Sequence, residues 1–286
     1  MSTLPRPAGK PMPGPSPGLP KPGGFTSEAP AATKRNFSVS TGKMQGVGQK
    51  VCLYGPGGVG KTSLASLLKD VGMKVLFIDV EDSSKFLDVD RVTPANWDEV
   101  RQALHTPSLI APYDVIVIES LTKLEDLAAA WVCENVQHEK GKKITSIEDY
   151  GYGKGYQHIY ESFLMVLGDL DAIARTGKHI ITTAHVCTEN VPNPEGENWL
   201  QYQPRLQSPP KLGKVRERVK EGVDHLFFID FDKAVSNGKA IGHGSRTIYC
   251  SERPTYWAKS RTLSDPIPFG QNDSTLWHQL FGKENV

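Results

Sequence analysis

Gly55-Pro56-Gly57-Gly58-Val59-Gly60-Lys61-Thr62 meets every fixed position of the phosphate-binding pattern G-x-x-x-x-G-K-[ST]. The glycines allow a tight turn whose successive N–H groups point inward, which makes a nest for an anion. Lys61 can reach the outer phosphates of a nucleotide, and the Thr62 hydroxyl can hold Mg²⁺. Gly55 to Ser63 are therefore the candidate ATP-binding residues. The flanks fit the motif. Lys50-Val51-Cys52-Leu53-Tyr54 reads as a short buried strand, and Thr62 to Lys69 reads as the opening of a helix whose dipole also favours phosphate.

Working outward, apolar strands alternate with amphipathic segments. Lys74 to Glu81, Tyr113 to Ser120 and His179 to His185 read as further strands. Asn96–Leu104, Leu121–His138 and Gln157–Arg175 carry helical apolar periodicity. Later strands are expected near His225–Asp230, Arg246–Cys250 and Tyr256–Ala258. The pattern predicts an α/β fold: a mostly parallel sheet, helices on both faces, and a late antiparallel extension.

Residues 1–36 form a different compositional class. Pro5, Pro7, Pro11, Pro13, Pro15, Pro17, Pro20 and Pro22 alternate with Gly and Ser, and little is available to bury. A disordered tail with polyproline-II character is expected before a core spanning 37–286. The tail is mildly basic and is read as inert and solvated, with a protein-partner or nucleic-acid contact as the alternative.

With 286 residues and a net charge of +1, the chain has no global field for nucleic acid, so any such binding needs a local basic surface. Cys52, Cys133, Cys187 and Cys250 are widely spaced, without a C-x-x-C pair. That argues against zinc and a disulfide framework, and fits a reducing cytoplasm. No apolar run approaches the roughly 20 residues of a membrane span.

Parallel sheets hold ligands at the carboxyl ends of their strands. Glu119 ends the third strand, where an acid can order Mg²⁺ and its waters; Thr62 and Glu119 are the candidate metal residues. Glu81 closes the second strand and can polarise an attacking water. Asp79 and Asp82 flank it, and Glu81, nearer the strand end, is the preferred base. His185, ending the fourth strand, can sense the γ-phosphate.

These strand ends together resemble the RecA-like ATPase core. Phe77-Ile78-Asp79-Val80-Glu81 looks like that family's glutamate-bearing strand. Ser120 follows Glu119 as a serine does in RecA-like proteins, a pattern that separates the chain from the AAA+ ATPases. Ala258-Lys259-Ser260-Arg261 matches the K-x-R element of RadA-like and cyanobacterial clock ATPases. The resemblance implies that Lys259 and Arg261 act across a subunit interface, in a ring or filament, and that Lys61, Glu81 and His185 complete the catalytic set. Asp149-Tyr150-Gly151-Tyr152-Gly153-Lys154-Gly155-Tyr156 is similar to a stretch of the RecA-like single-strand annealing proteins of bacteriophages. The resemblance covers roughly residues 45–265 and implies ATP hydrolysis coupled to annealing or recombination. Glu119 stands where the family usually has Asp.

Two segments are candidates for single-stranded DNA. Lys140 to Tyr156 mixes lysines with tyrosines and glycines, the chemistry of a sequence-tolerant groove. The long connection after His185 leads to Lys211, Lys214, Arg216, Arg218 and Lys220. Glu189, Glu195, Glu197, Glu217 and Glu221 dilute the charge of this connection, which could equally mediate subunit contacts, so a nucleotide-gated loader or scaffold without DNA contact is the alternative. A metabolic kinase would need an acceptor pocket and lid, which the sequence does not display.

Overall fold

The computed structural model describes residues 46–236 and 239–282, together with Val39, Thr41 and Gly42. The Pro-rich tail expected over 1–36 lies outside the described residues.

Strand β1 (Lys50–Tyr54) leads through the phosphate loop into helix α1 (Lys61–Ser66), which tightens into a 3-10 turn over Leu67–Val71. Then follow β2 (Val75–Asp79), β3 (Asp90–Val92), α2 (Trp97–Leu104), α3 (Pro107–Ile110), β4 (Val115–Glu119) and α4 (Leu121–Asn135). Helix α5 (Lys154–Ala174), β5 (His179–Ala184), β6 (Val186–Val191), β7 (Trp199–Pro204) and α6 (Val215–Gly222) come next. The chain ends in β8 (His225–Ser236), β9 (Lys239–Tyr249), β10 (Ile267–Pro268) and α7 (Thr275–Phe281).

The main sheet has the order β10-β9-β8-β1-β5-β4-β2-β3. From β3 to β8 all neighbours are parallel, and β9 and β10 add antiparallel pairs at one edge. This is the expected mostly parallel sheet with its late antiparallel extension. Strand β5 lies between the strand of the phosphate loop and the strand of Glu119, so three strand ends converge on one site.

The central strands are apolar on both faces because both faces are covered. Cys52, Tyr54, Leu76, Ile78, Ile116 and Ile118 face a layer containing Trp97, Leu124, Phe163 and Val219 from α2, α4, α5 and α6. Val51, Leu53, Val75, Phe77 and Val117 face Leu64, Leu68, Trp277 and Leu280 from α1, its 3-10 continuation and α7. Trp277 Nε1 donates to Leu64 O at 2.6 Å, which ties the last helix to the first.

Several expectations are corrected. β2 ends at Asp79, two residues short of Glu81, because the Asp79 carboxylate captures the following backbone. The expected strand at Tyr256–Ala258 is reduced to bridges: Tyr256 pairs with Tyr202 and Arg253, and Lys259 with Leu226. The connection after His185 is a β6–β7 hairpin rather than a loop. Among the described residues, no helix is long and apolar enough to cross a membrane.

Candidate functional site

Gly55 leaves β1 at the point of closest approach to β8. A Cβ there would stand 2.1 Å from the Ile229 carbonyl oxygen, so only glycine fits. Val59, fully buried, anchors the middle of the loop in the core under α1. Gly60 has φ of 100°, a left-handed conformation that L side chains rarely adopt, and it turns the chain into α1. Lys61 is 7% exposed. Its Nζ donates to Gly55 O at 3.0 Å and Pro56 O at 2.9 Å, which braces the loop from within. Burial lowers its pKa, against the opposing pull of Glu119 and Glu81.

Glu119, at the end of β4, is buried. Its Oε1 accepts the Thr62 hydroxyl at 3.1 Å, while its Oε2 is buried without a hydrogen-bond partner. Burial pushes the Glu119 carboxyl up to about 7, and the nearby Thr183 hydroxyl, the Thr62 hydroxyl and the Lys61 charge counter only part of that. A buried carboxylate with one unshared oxygen, beside a hydroxyl, is a hard-oxygen pair suited to Mg²⁺. The donor set therefore fits the metal that a phosphate loop implies. Among the described residues there is no cluster of three or more His, Cys, Asp or Glu that could hold a metal unaided. Mg²⁺ sites that borrow substrate phosphates do not need one.

The acidic cluster at the end of β2 divides its labour. Asp79 is 1% exposed, and its oxygens accept the N–H groups of Glu81, Ser83 and Ser84 and the Ser84 hydroxyl. Its capacity is spent on building the turn, and Asp82 is exposed at φ of 56°. Glu81 is carried toward β4 and β5. There its Oε2 accepts the Ser120 hydroxyl at 2.5 Å, and its Oε1 pairs with His185 Nε2 at 2.7 Å. The bond from His185, with help from Ser120, holds the Glu81 carboxyl below its ordinary range despite partial burial.

His185 is fixed through its backbone as well. Its N–H donates to Thr122 Oγ1 at 3.0 Å, Thr122 Oγ1 donates to Arg205 O at 3.2 Å, and Arg205 N–H returns to His185 O at 2.8 Å. His185 and Arg205 are the two roots of the β6–β7 hairpin, so one hydroxyl at the start of α4 holds both. Thr122 gave no sequence signal, since its role depends on contacts 63 and 83 residues away. Arg246 was missed for the same reason: it donates to Val59 O at 3.0 Å across 187 residues.

Lys259 and Arg261 are not brought to the phosphate loop of their own chain. Lys259 N and O pair with Leu226 near the start of β8, at the opposite end of the strands from the loop. Its Nζ donates to the carbonyls of Lys220, Glu221 and Val223, which closes the end of α6. Arg261 pairs with Asp224 at 2.8 Å, and Asp224 in turn accepts from the first N–H of β1.

The two basic segments meet. Gln207 Nε2 donates to Tyr156 O at 2.9 Å, and Gly213 N–H donates to Gln157 Oε1 at 3.0 Å. Much of their chemistry is internal. Tyr150 is buried with its hydroxyl on Val132 O and Val136 O, and Tyr156 donates to Glu148. Lys142, Lys154, Lys214 and Lys220 face Asp149, Glu139, Glu217 and Glu252. Arg216 is buried against Leu206 O, Gln203 and Glu189. Tyr152, between Gly151 and Gly153 in three successive positive-φ residues, is fully exposed.

No curated protein shows significant sequence similarity to the chain. A family model described as an AAA domain matches residues 47–262. That span runs from three residues before β1, through the loop, both acids and His185, to the Lys259/Arg261 element. The separation from AAA-type ATPases drawn from the sequence is thus not the one the family comparison makes, even though Glu81 lies beyond β2 and not next to Glu119. The phosphate loop, the Thr62–Glu119 pair and the match across three quarters of the chain agree: the protein belongs to the AAA domain family of P-loop ATPases.

Proposed function

We propose that the protein binds ATP with Mg²⁺ and hydrolyses it, with Glu81 as the general base. The observation that carries this reading is the Glu81 carboxylate held between Ser120 and His185, beside a phosphate loop. Bound through Thr62 Oγ1 and Glu119 Oε2, Mg²⁺ would supply neutralising charge to the phosphate oxygens. The loop N–H groups and Lys61 bind the triphosphate, Lys61 exchanging its bonds to Gly55 O and Pro56 O for phosphate oxygens. Glu81 takes a proton from the attacking water as the water oxygen bonds to the γ-phosphorus and the bond to the β-phosphate oxygen breaks. Ser120 and His185 keep the carboxylate ionised and aimed.

The output of this cycle is assembly on single-stranded DNA, with annealing or recombination as the activity. Two features support it. The β6–β7 hairpin starts directly after His185, so a change at Glu81 reaches it through one residue. The two basic segments pack together and leave Tyr152 free to stack on a base. A second reading, a nucleotide-gated loader or scaffold, is favoured by the hairpin itself, where Leu200 is 65% exposed among Glu189, Glu195 and Glu197. Steady-state ATPase assays with and without single-stranded DNA, over a salt series, separate the two. DNA stimulation that fades with salt and is lost in Tyr152→Ala supports the first. Robust turnover with no DNA response and no DNA binding at low salt rejects it in favour of the second.

A further inference from the structure

The late antiparallel extension has a chemical connection to the phosphate loop that the ATPase reading does not use. Arg246, on β9, donates from Nη1 to the Val59 carbonyl at 3.0 Å. Its guanidinium lies 4.4 Å from the ring centroid of Phe269, the residue after β10. Phe269 is 5% exposed, and its N–H donates to Arg246 O at 2.8 Å. Arginine and ring are thus joined by backbone and by side chain. Both press on the same residue: a Cβ at Gly60 would stand 2.6 Å from Arg246 Nη1 and 3.1 Å from Phe269 Cε1.

We infer that Arg246 is a positioning residue for nucleotide binding, acting through the Val59–Gly60 peptide, with Phe269 as its support. The inference rests on the ATP-binding reading of the loop. A peptide unit is planar, so fixing the Val59 carbonyl fixes the N–H of Gly60 in the opposite direction. An anion nest needs its N–H groups turned inward together, so the Val59 carbonyl, whose peptide carries the Gly60 N–H, must be held outward. Gly60 makes the pin necessary. Its left-handed conformation is open to glycine, but the same residue has many other states that would rotate the peptide out of line. Arginine suits the task because its fork can keep one N–H on a carbonyl while its flat face rests on a ring. Among the described residues no carboxylate pairs with Arg246, so the interaction is not part of an ion-pair network. The extension β9–β10 is then a buttress that holds the loop in its phosphate-accepting shape.

The test uses the full-length protein and fluorescent ATP and ADP analogues, with steady-state ATPase kinetics in parallel. Arg246→Ala is expected to weaken both nucleotides and raise KM about tenfold, the loss of one net hydrogen bond, while kcat stays within about twofold because the phosphate chemistry is untouched. Arg246→Lys, which keeps a donor, recovers part of the affinity. Phe269→Leu, which removes the ring and keeps an apolar side chain, shows the same KM-weighted loss in smaller measure. Circular dichroism melts identify any variant that fails to fold; if Arg246→Ala does, the Lys and Leu variants decide. Folded variants with wild-type affinity, or a loss confined to kcat, overturn the inference. Lys61→Ala is the reference: if wild-type protein binds no nucleotide, the ATPase reading itself has failed. If wild type binds and Lys61→Ala does not, the Arg246 result stands alone.

Discussion

His185 Nε2 and Glu81 Oε1 are 2.7 Å apart, although 104 residues separate them along the chain. The pairing joins β5 to the turn after β2 across β4, and it couples the proposed base to the proposed γ-phosphate sensor. A ligand that draws the His185 ring elsewhere would have to break this contact, while the His185 N–H stays on the Thr122 hydroxyl at the roots of the hairpin.

The first prediction concerns acid pH. Glu81 must be ionised to accept a proton, and its pKa is lowered chiefly by the His185 bond. Activity should therefore persist below the ordinary glutamate range and fall as pH drops through the lowered pKa. Removing the histidine in His185→Ala raises the pKa of Glu81, so the acid limb of the pH–rate profile moves to higher pH. Glu81→Gln should lower kcat by about 10²–10⁴-fold with ATP binding retained. A pH profile unmoved by His185→Ala would show that the pair does not tune the base.

The second concerns Glu119 and stability. Its carboxyl is raised by burial from an ordinary 4.5 to about 7. Between those values the folded protein holds a proton that the unfolded chain releases, so stability must fall as pH rises through that window. The melting temperature of nucleotide-free protein is expected to drop by roughly 5 °C from about pH 4.5 to about pH 7. Glu119→Gln cannot ionise and should flatten the profile, while Mg²⁺-dependent turnover is lost. An equal slope in the variant would assign the effect to other groups.

Much of this site could be read from the sequence because it consists of a phosphate-loop motif and of polar residues that close apolar runs at or just beyond strand ends. Lys61 and Thr62 stand at fixed positions of the motif, and Glu81, Glu119 and His185 are the polar residues that close the runs. Alternation puts Asp79 and Glu81 on one side, and Glu81 is preferred in the sequence only as the residue nearer the end of a strand that in fact stops at Asp79. What separates the two acids in the structure is that the turn captures the Asp79 carboxylate and leaves Glu81 to Ser120 and His185. The β6–β7 hairpin was hidden because Pro192, Pro194 and the acids around its tip look like loop, while its register is fixed by pairing from Val186–Pro204 to Val191–Trp199. Thr122 and Arg246 act only through contacts made by folding, and no local pattern announces them.

The third prediction separates two glycines of one motif. A methyl group on Gly55 would meet Ile229 O at 2.1 Å and Val59 Cγ1 at 3.3 Å, and the first of these is backbone that cannot swing away. Gly55→Ala should cost about 1–3 kcal/mol or more through overpacking, with loss of nucleotide binding. Gly57 has nothing within 4 Å of the same position, so Gly57→Ala should keep wild-type folding. Chemical denaturation of both variants gives the comparison; equal midpoints would mean that β1 and β8 can part without penalty.

The last prediction decides what Lys259 and Arg261 do. Lys259 Nζ closes the end of α6 by donating to three carbonyls, so Lys259→Ala removes a cation from a helix C-terminus and leaves those oxygens short of a partner. A loss of about 1 kcal/mol is expected. Arg261 is 65% exposed in its pair with Asp224, so Arg261→Ala should change stability by less than about 1 kcal/mol. If the two residues also serve a neighbour's nucleotide, both variants lose ATPase activity, and the loss in Arg261→Ala cannot be blamed on folding. Mixing then distinguishes the cases: Arg261→Ala supplies an intact phosphate loop and Lys61→Ala supplies intact Lys259 and Arg261. Recovered turnover in the mixture requires a shared site between subunits. If turnover is not recovered and Arg261→Ala alone is fully active, both residues belong to the architecture of α6 and β1, and the phosphate loop works with the groups of its own chain.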